Sequence, residues 1–204
     1  MRHRPTFLLL SSLVLPSRCI AAVQAQPAAS LPACEWCGAP DAPPSLSATT
    51  IVAPPGEPGT RLVITGRVLR SDGRRPARNV LLYTYHTNAG GRYARRGDET
   101  GNGLRHGHLR GWLRTGPNGE YRIDTIRPGA YPGRAEPAHV HLTVTPAGGE
   151  ERWVDSVVFD DDPLLTPALR SQMPNIGGSG VVHVSRDAAG VQHAVRDIRL
   201  QVAP

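Results

Sequence analysis

The sharpest chemical feature of the chain is Ala138-His139-Val140-His141-Leu142-Thr143-Val144. On an extended strand, residues two apart point to one face. His139 and His141 then stand roughly 6–7 Å apart along the strand, close enough for both imidazoles to turn onto one ion. Val140, Leu142 and Val144 take the opposite, core-facing side. Imidazole suits iron, copper, zinc and nickel alike, so the pair does not select a metal, and two plain surface histidines are the competing interpretation. A rival pair, His106 and His108, lies in the glycine-dense stretch 101–111. Nothing there enforces a common face, and it ranks lower as a ligand pair.

Two turns upstream present tyrosines. Gly90-Gly91-Arg92-Tyr93 follows a strand-like run ending at Thr87, and Pro128-Gly129-Ala130-Tyr131-Pro132-Gly133 precedes the histidine strand. Taken singly, a tyrosine in a turn usually covers core or rims a surface.

The elements that must position these side chains read as short strands. Runs at 61–69, 79–87, 109–114, 120–126, 138–145, 153–159, 180–185 and 192–202 are apolar, β-branched or alternating. Gly- and Pro-rich turns separate them. The spacing predicts an all-β antiparallel sandwich with a prealbumin-like core, long loops and little helix. One helical turn is expected within 163–172, capped by Thr166. His183 and His193 read as structural, and His86 as a core histidine or a neighbour of the site. Trp112 and Trp153 read as core, and Asp160-Asp161-Asp162 as solvated acids or a cap.

The 204 residues suggest one domain. Gly (22) and Pro (20) are abundant and Phe (2) is scarce, which favours turns over long helices. Every fixed positive charge is arginine, and these are scattered along the sequence and not interleaved with aromatics. A nucleic-acid footprint needs a clustered basic stripe, so no nucleic-acid partner is expected.

Residues 1–25 read as a secretory signal peptide: Arg2 and Arg4, an apolar run from Phe7 to Leu15, then small residues with cleavage after Ala25. Export to the periplasm or the medium follows, with no membrane span in the mature chain. Residues 26–59 form a Pro/Ala-rich arm, its prolines breaking regular structure, and the domain proper runs from 60 to 204. Cys34-Glu35-Trp36-Cys37 has no second pair to complete a zinc site. In an oxidising compartment a local Cys34–Cys37 disulfide is the favoured reading.

In order and content, Tyr85–Tyr93, Leu109–Trp112, Gly119–Tyr121, Thr125–Pro132 and Pro137–His141 resemble the intradiol ring-cleavage dioxygenase family, specifically the catalytic domain of protocatechuate 3,4-dioxygenase and its relatives. A secreted subgroup of that family shares an N-terminal Cys-x-x-Cys. The resemblance implies a β-sandwich and a mononuclear non-haem Fe(III) site held by Tyr93, Tyr131, His139 and His141. It implies an aromatic diol and O2 as substrates and a cis,cis-muconate-type product. By the same analogy Tyr131 leaves the metal as the diol binds and helps accept its proton. Phenolate suits hard ferric iron, and tyrosine also ligates haem iron. One departure matters. Where the family carries an arginine three residues before the first histidine, this chain has Glu136. Arg134 is the expected substitute in charge stabilisation, with Glu136 paired to Arg134 or Arg127. The alternative function is a non-catalytic prealbumin-like binding module that retains a metal site. A cupin is disfavoured because Thr145 stands where its glutamate belongs.

Overall fold

Alternating burial along the strands divides the chain into two layers. The computed structural model describes residues 31–201, so the signal-peptide segment lies outside the described residues. The strands are β1 (Thr49–Ile51), β2 (Arg61–Leu69), β3 (Leu81–His86), β4 (Arg110–Arg114), β5 (Glu120–Ile126), β6 (His139–Thr145), β7 (Arg152–Phe159), β8 (Val181–Val182), β9 (Val184–Arg186), β10 (Gln192–Val195) and β11 (Ile198–Arg199). One sheet runs β1-β5-β2-β10-β9, with β11 also paired to β2. The other runs β4-β3-β6-β7-β8. Their inner faces enclose one core that includes Leu62, Ile64, Ile123, Leu82, Val140 and Leu142, all fully buried. Two short helices, α1 (Gly103–His106) and α2 (Pro167–Ser171), lie in the loops. The architecture is the all-β sandwich the strand spacing predicts.

In β6, Val140, Leu142 and Val144 are at most 2% exposed. Fully burying each such side chain contributes about 1.5–3 kcal/mol. A one-residue slip would forfeit this and bury the histidines instead. Core burial therefore points His139 and His141 to the outer face of the second sheet. The helical turn forms where expected, with the Thr166 hydroxyl accepting from the Leu169 N–H at 3.2 Å.

Two expectations need correction. The sheets are mixed: β1–β5, β2–β10, β2–β11 and β7–β8 pair in parallel. The loop from 160 to 180 gives enough chain to bring β8 back in the same direction as β7, which a tight hairpin cannot do. The 26–59 arm also contains regular structure. β1 occupies the proline-free run 45–53 and pairs with β5, and Val52 and Ala53 are in the core. The packed body thus begins before Thr60.

Residues 34–41 of the arm cover the outer face of β3 and β4. Cys34 and Cys37 are joined by a disulfide, and Asn102 Nδ2 donates to both their carbonyls at 2.7 Å. Glu151 accepts from Gly38 N and Ala39 N, and Trp112 Nε1 donates to Gly38 O. A Cβ at Gly38 would collide with the Tyr83 ring. This cover explains why β3 is buried on both faces.

Candidate metal centre

Four donor atoms from three separate segments meet on the outer face of β6. Tyr93 Oη lies 2.5 Å from Tyr131 Oη and 3.0 Å from His141 Nε2. His139 Nε2 and His141 Nε2 are 3.0 Å apart, and Tyr131 Oη is 3.4 and 3.3 Å from them. First-row metal ions sit about 2 Å from nitrogen and oxygen ligands, so donors around one ion stand about 3 Å apart. The cluster fits that spacing. Among the described residues no three His, Cys, Asp or Glu side chains gather in this way; the tyrosines complete the set.

The two tyrosine loops interlock through glycines. Gly91 has φ +74°, and a Cβ there would collide with Ala130 O. Gly129 N–H donates to Asn88 O at 2.9 Å, and the Thr87 hydroxyl donates to Gly129 O at 2.7 Å. The histidine strand is anchored at its start by Asp162, which accepts from Ala138 N at 2.9 Å.

Hydrogen bonds fix the imidazoles for ligation. His139 Nδ1 donates to Pro137 O at 2.8 Å, which leaves the Nε2 lone pair facing the cluster. His141 Nδ1 faces Ser156 Oγ at 3.3 Å, with Nε2 again inward. Burial, reinforced by His139, holds His141 well below its usual pKa and so neutral. Burial pushes the Tyr93 phenol far up, and its bond with Tyr131 adds to this. Burial also raises Tyr131, opposed by that hydrogen bond and by Arg134. Protonated phenols and the neutral His141 imidazole bring no charge of their own to the cluster. A cation that displaces the phenol protons is what such a cluster accommodates.

Beneath the site lies an aromatic stack. His141 packs on Tyr85 with ring centroids 4.4 Å apart, and Tyr85 packs on His106 at 3.6 Å. His106 Nε2 donates to Glu35 O, so its Nδ1 accepts from the Tyr83 hydroxyl at 2.6 Å. His108 instead uses its ring on Ala94 O and Glu57. The 106/108 pair therefore shares no site. Sequence reasoning did not place Tyr85 beside His141; the β3–β6 register sets them opposite each other.

Arg134 is exposed, with its guanidinium 5.7 Å from the Tyr131 ring centre. The expected Arg127–Glu136 pairing does not form, because Arg127 is engaged by Asp161 at 2.7 Å. Glu136 forms no ion pair with Arg134 among the described residues; its carboxylate lies 3.9 Å from His139 Nε2. The three aspartates are all partnered rather than merely solvated: Asp160 to His183, Asp161 to Arg127, Asp162 to the Ala138 and Leu164 N–H groups. Trp153 lines a cavity beside the histidines rather than sitting in the core. His86 is fully buried, between Thr87 O and the Thr125 hydroxyl.

A family model described as Dioxygenase matches residues 41–176. The chain is 39% identical over 117 residues to the protocatechuate 3,4-dioxygenase beta chain of Burkholderia cepacia, covering 54% of this chain and 49% of that one. It thus spans about half the length of that curated relative. Among solved structures it is similar to the dioxygenase domain of a dioxygenase–carbohydrate-binding protein fusion from Streptomyces sp. SirexAA-E. That match has 28% identity and a TM-score of 0.56, and covers 79% of this chain and 92% of that one. Catechol 1,2-dioxygenase from Pseudomonas arvilla C-1 shares the fold, with 20% identity and a TM-score of 0.59 over 78% of this chain and 57% of that one. On the span of the family match, the chain belongs to the intradiol ring-cleavage dioxygenase family.

Proposed function

We propose that the protein is a non-haem Fe(III) dioxygenase that opens the ring of a catechol-type diol with O2 between its two hydroxyl carbons, giving a cis,cis-muconate-type product. The observation that carries this reading is the convergence of Tyr93, Tyr131, His139 and His141 donors within 2.5–3.4 Å. Ferric iron held there would bind both diol oxygens and make the ring reactive toward O2. The chain's own residues do the rest. Tyr93 and His141 are held by packing on Tyr85. Tyr131, half-buried beneath Arg134, is placed to take a proton from a diol hydroxyl at its Oη. The cavity beside His139 and His141 has a volume of about 220 Å³ and gives the ring an apolar wall.

The test is colour and product. Ferric loading should turn the purified protein red-brown through phenolate-to-iron charge transfer, and catechol should then yield muconate absorbance. Protein that stays colourless with ferric salt overturns the iron reading. Coloured protein that binds diols and never opens them supports the non-catalytic binding module instead.

Export is proposed as well, supported by the basic-apolar-small order of residues 1–25 and by a Cys34–Cys37 pair suited to an oxidising compartment. Mature protein recovered outside the cytoplasm should begin at Gln26.

A further inference from the structure

We propose that the ring this site accepts carries a substituent with a hydrogen-bond donor, an ammonium or a hydroxyl, which Asp155 receives, and that carboxylate-bearing rings are turned away. The proposal rests on the diol reading above and names the substrate class within it.

The β6–β7 ladder slips beside the metal cluster. Val140 pairs with Val157 and Leu142 with Val154, so Asp155 and Ser156 together face the single residue His141. Such a bulge re-aims side chains at functional sites. Both residues line the cavity that opens beside His139 and His141. Ser156 meets His141 Nδ1. Asp155 is 1% exposed, and neither of its carboxylate oxygens has a hydrogen-bond partner. A buried acceptor left unpaired costs about 1–3 kcal/mol, and more when charged. The nearby guanidinium of buried Arg196 offsets the charge without using those oxygens. Its NH groups donate to the carbonyls of Gly177, Gly178 and Asp197. Two unpaired acceptors, sealed from solvent, therefore remain on a residue of the cavity wall, and the Arg196 Nε–H beside them is unpaired as well.

The remaining lining agrees. No arginine lines this cavity, and its second acid is Glu136, half exposed and 3.9 Å from His139 Nε2. A ring carboxylate would meet two acids with no cation on the wall. Leu165, Leu169 and Met173 supply apolar contact for the ring, and Trp153 offers an indole to an ammonium group.

The experiment is anaerobic titration of the iron-loaded protein with four catechols, followed by the charge-transfer band and by calorimetry. The ring carbon para to one hydroxyl carries an aminoethyl, a hydroxyethyl, an ethyl or a carboxylate group. The aminoethyl and hydroxyethyl rings should bind about tenfold or more tightly than the ethyl ring, with the carboxylate weakest. Asp155→Asn should erase the aminoethyl-over-ethyl preference. A flat series in the unaltered protein, or a preference for the carboxylate, overturns the proposal. So does a preference that survives in Asp155→Asn, which would leave Asp155 as a counter-charge to Arg196 only. If none of the four binds the iron-loaded protein, the diol reading itself fails and this proposal with it.

Discussion

The phenol oxygens of Tyr93 and Tyr131 lie 2.5 Å apart although 38 residues separate them in the chain. Their loops touch through backbone, with Gly91 pressed against the carbonyl of Ala130. Half of the Tyr/His cluster is therefore assembled by a contact that tolerates no side chain, at a residue whose positive φ also disfavours one.

Gly91→Ala is expected to separate the two phenols. A methyl group at φ +74° costs about 1–3 kcal/mol in backbone strain alone, before the collision with Ala130 O. Ferric affinity should fall at least tenfold and the red-brown band should weaken, both measured by iron titration. Gly133→Ala is the control, since its φ is also positive but no atom lies within 4 Å of the added carbon. Equal iron loss in both variants would reject the interlocking-loop account.

Asp162→Ala removes the acceptor that holds Ala138 N–H and Leu164 N–H at 2.9 Å each. Leaving the buried Ala138 N–H unpaired should cost about 1–3 kcal/mol. The start of β6 loosens, so iron affinity should drop together with the melting temperature. Intact iron affinity in a destabilised variant would show that Asp162 serves the fold and not the centre.

Arg134→Ala should lower turnover while the iron content stays the same. The guanidinium above Tyr131 favours the charged form of that phenol. Its loss should show as a lower kcat and a blue-shifted charge-transfer band, with KM changed less. Unchanged kcat removes Arg134 from the reaction.

Stability should fall on acidification through the histidines buried outside the Tyr/His cluster. His86 is pushed down to about 4 by burial, against an ordinary value of 6.5. Between those values the unfolded chain binds the proton and the folded chain does not, so stability is full above 6.5 and declines toward 4. The loss attributable to His86 is on the order of 3 kcal/mol. Urea melts of apoprotein at a series of pH values should show this slope, and His86→Gln should flatten it. A slope unchanged in the variant would assign the acid sensitivity elsewhere.

The shared outward face of His139 and His141 was legible from sequence because strand periodicity is local: Val140, Leu142 and Val144 claim the core, and the histidines take the other face. The all-β class, most strand boundaries and the Thr166 cap followed from the same short-range rules. That Tyr93 and Tyr131 would meet these histidines was legible only through resemblance, since nothing in either turn says where its tip will land. What the tertiary structure decided is non-local. It threaded β1 through the proline-rich arm, laid the arm over β3, and separated His106 from His108 by giving each a distant partner. It also placed Asp155, which reads in sequence as one strand acid among valines, beside the Tyr/His cluster through a bulge opposite His141. Side-chain facing is set by neighbours two residues away. Register slips, loop contacts and unpaired acceptors are set by segments tens of residues away, whose meeting depends on the closed core as a whole.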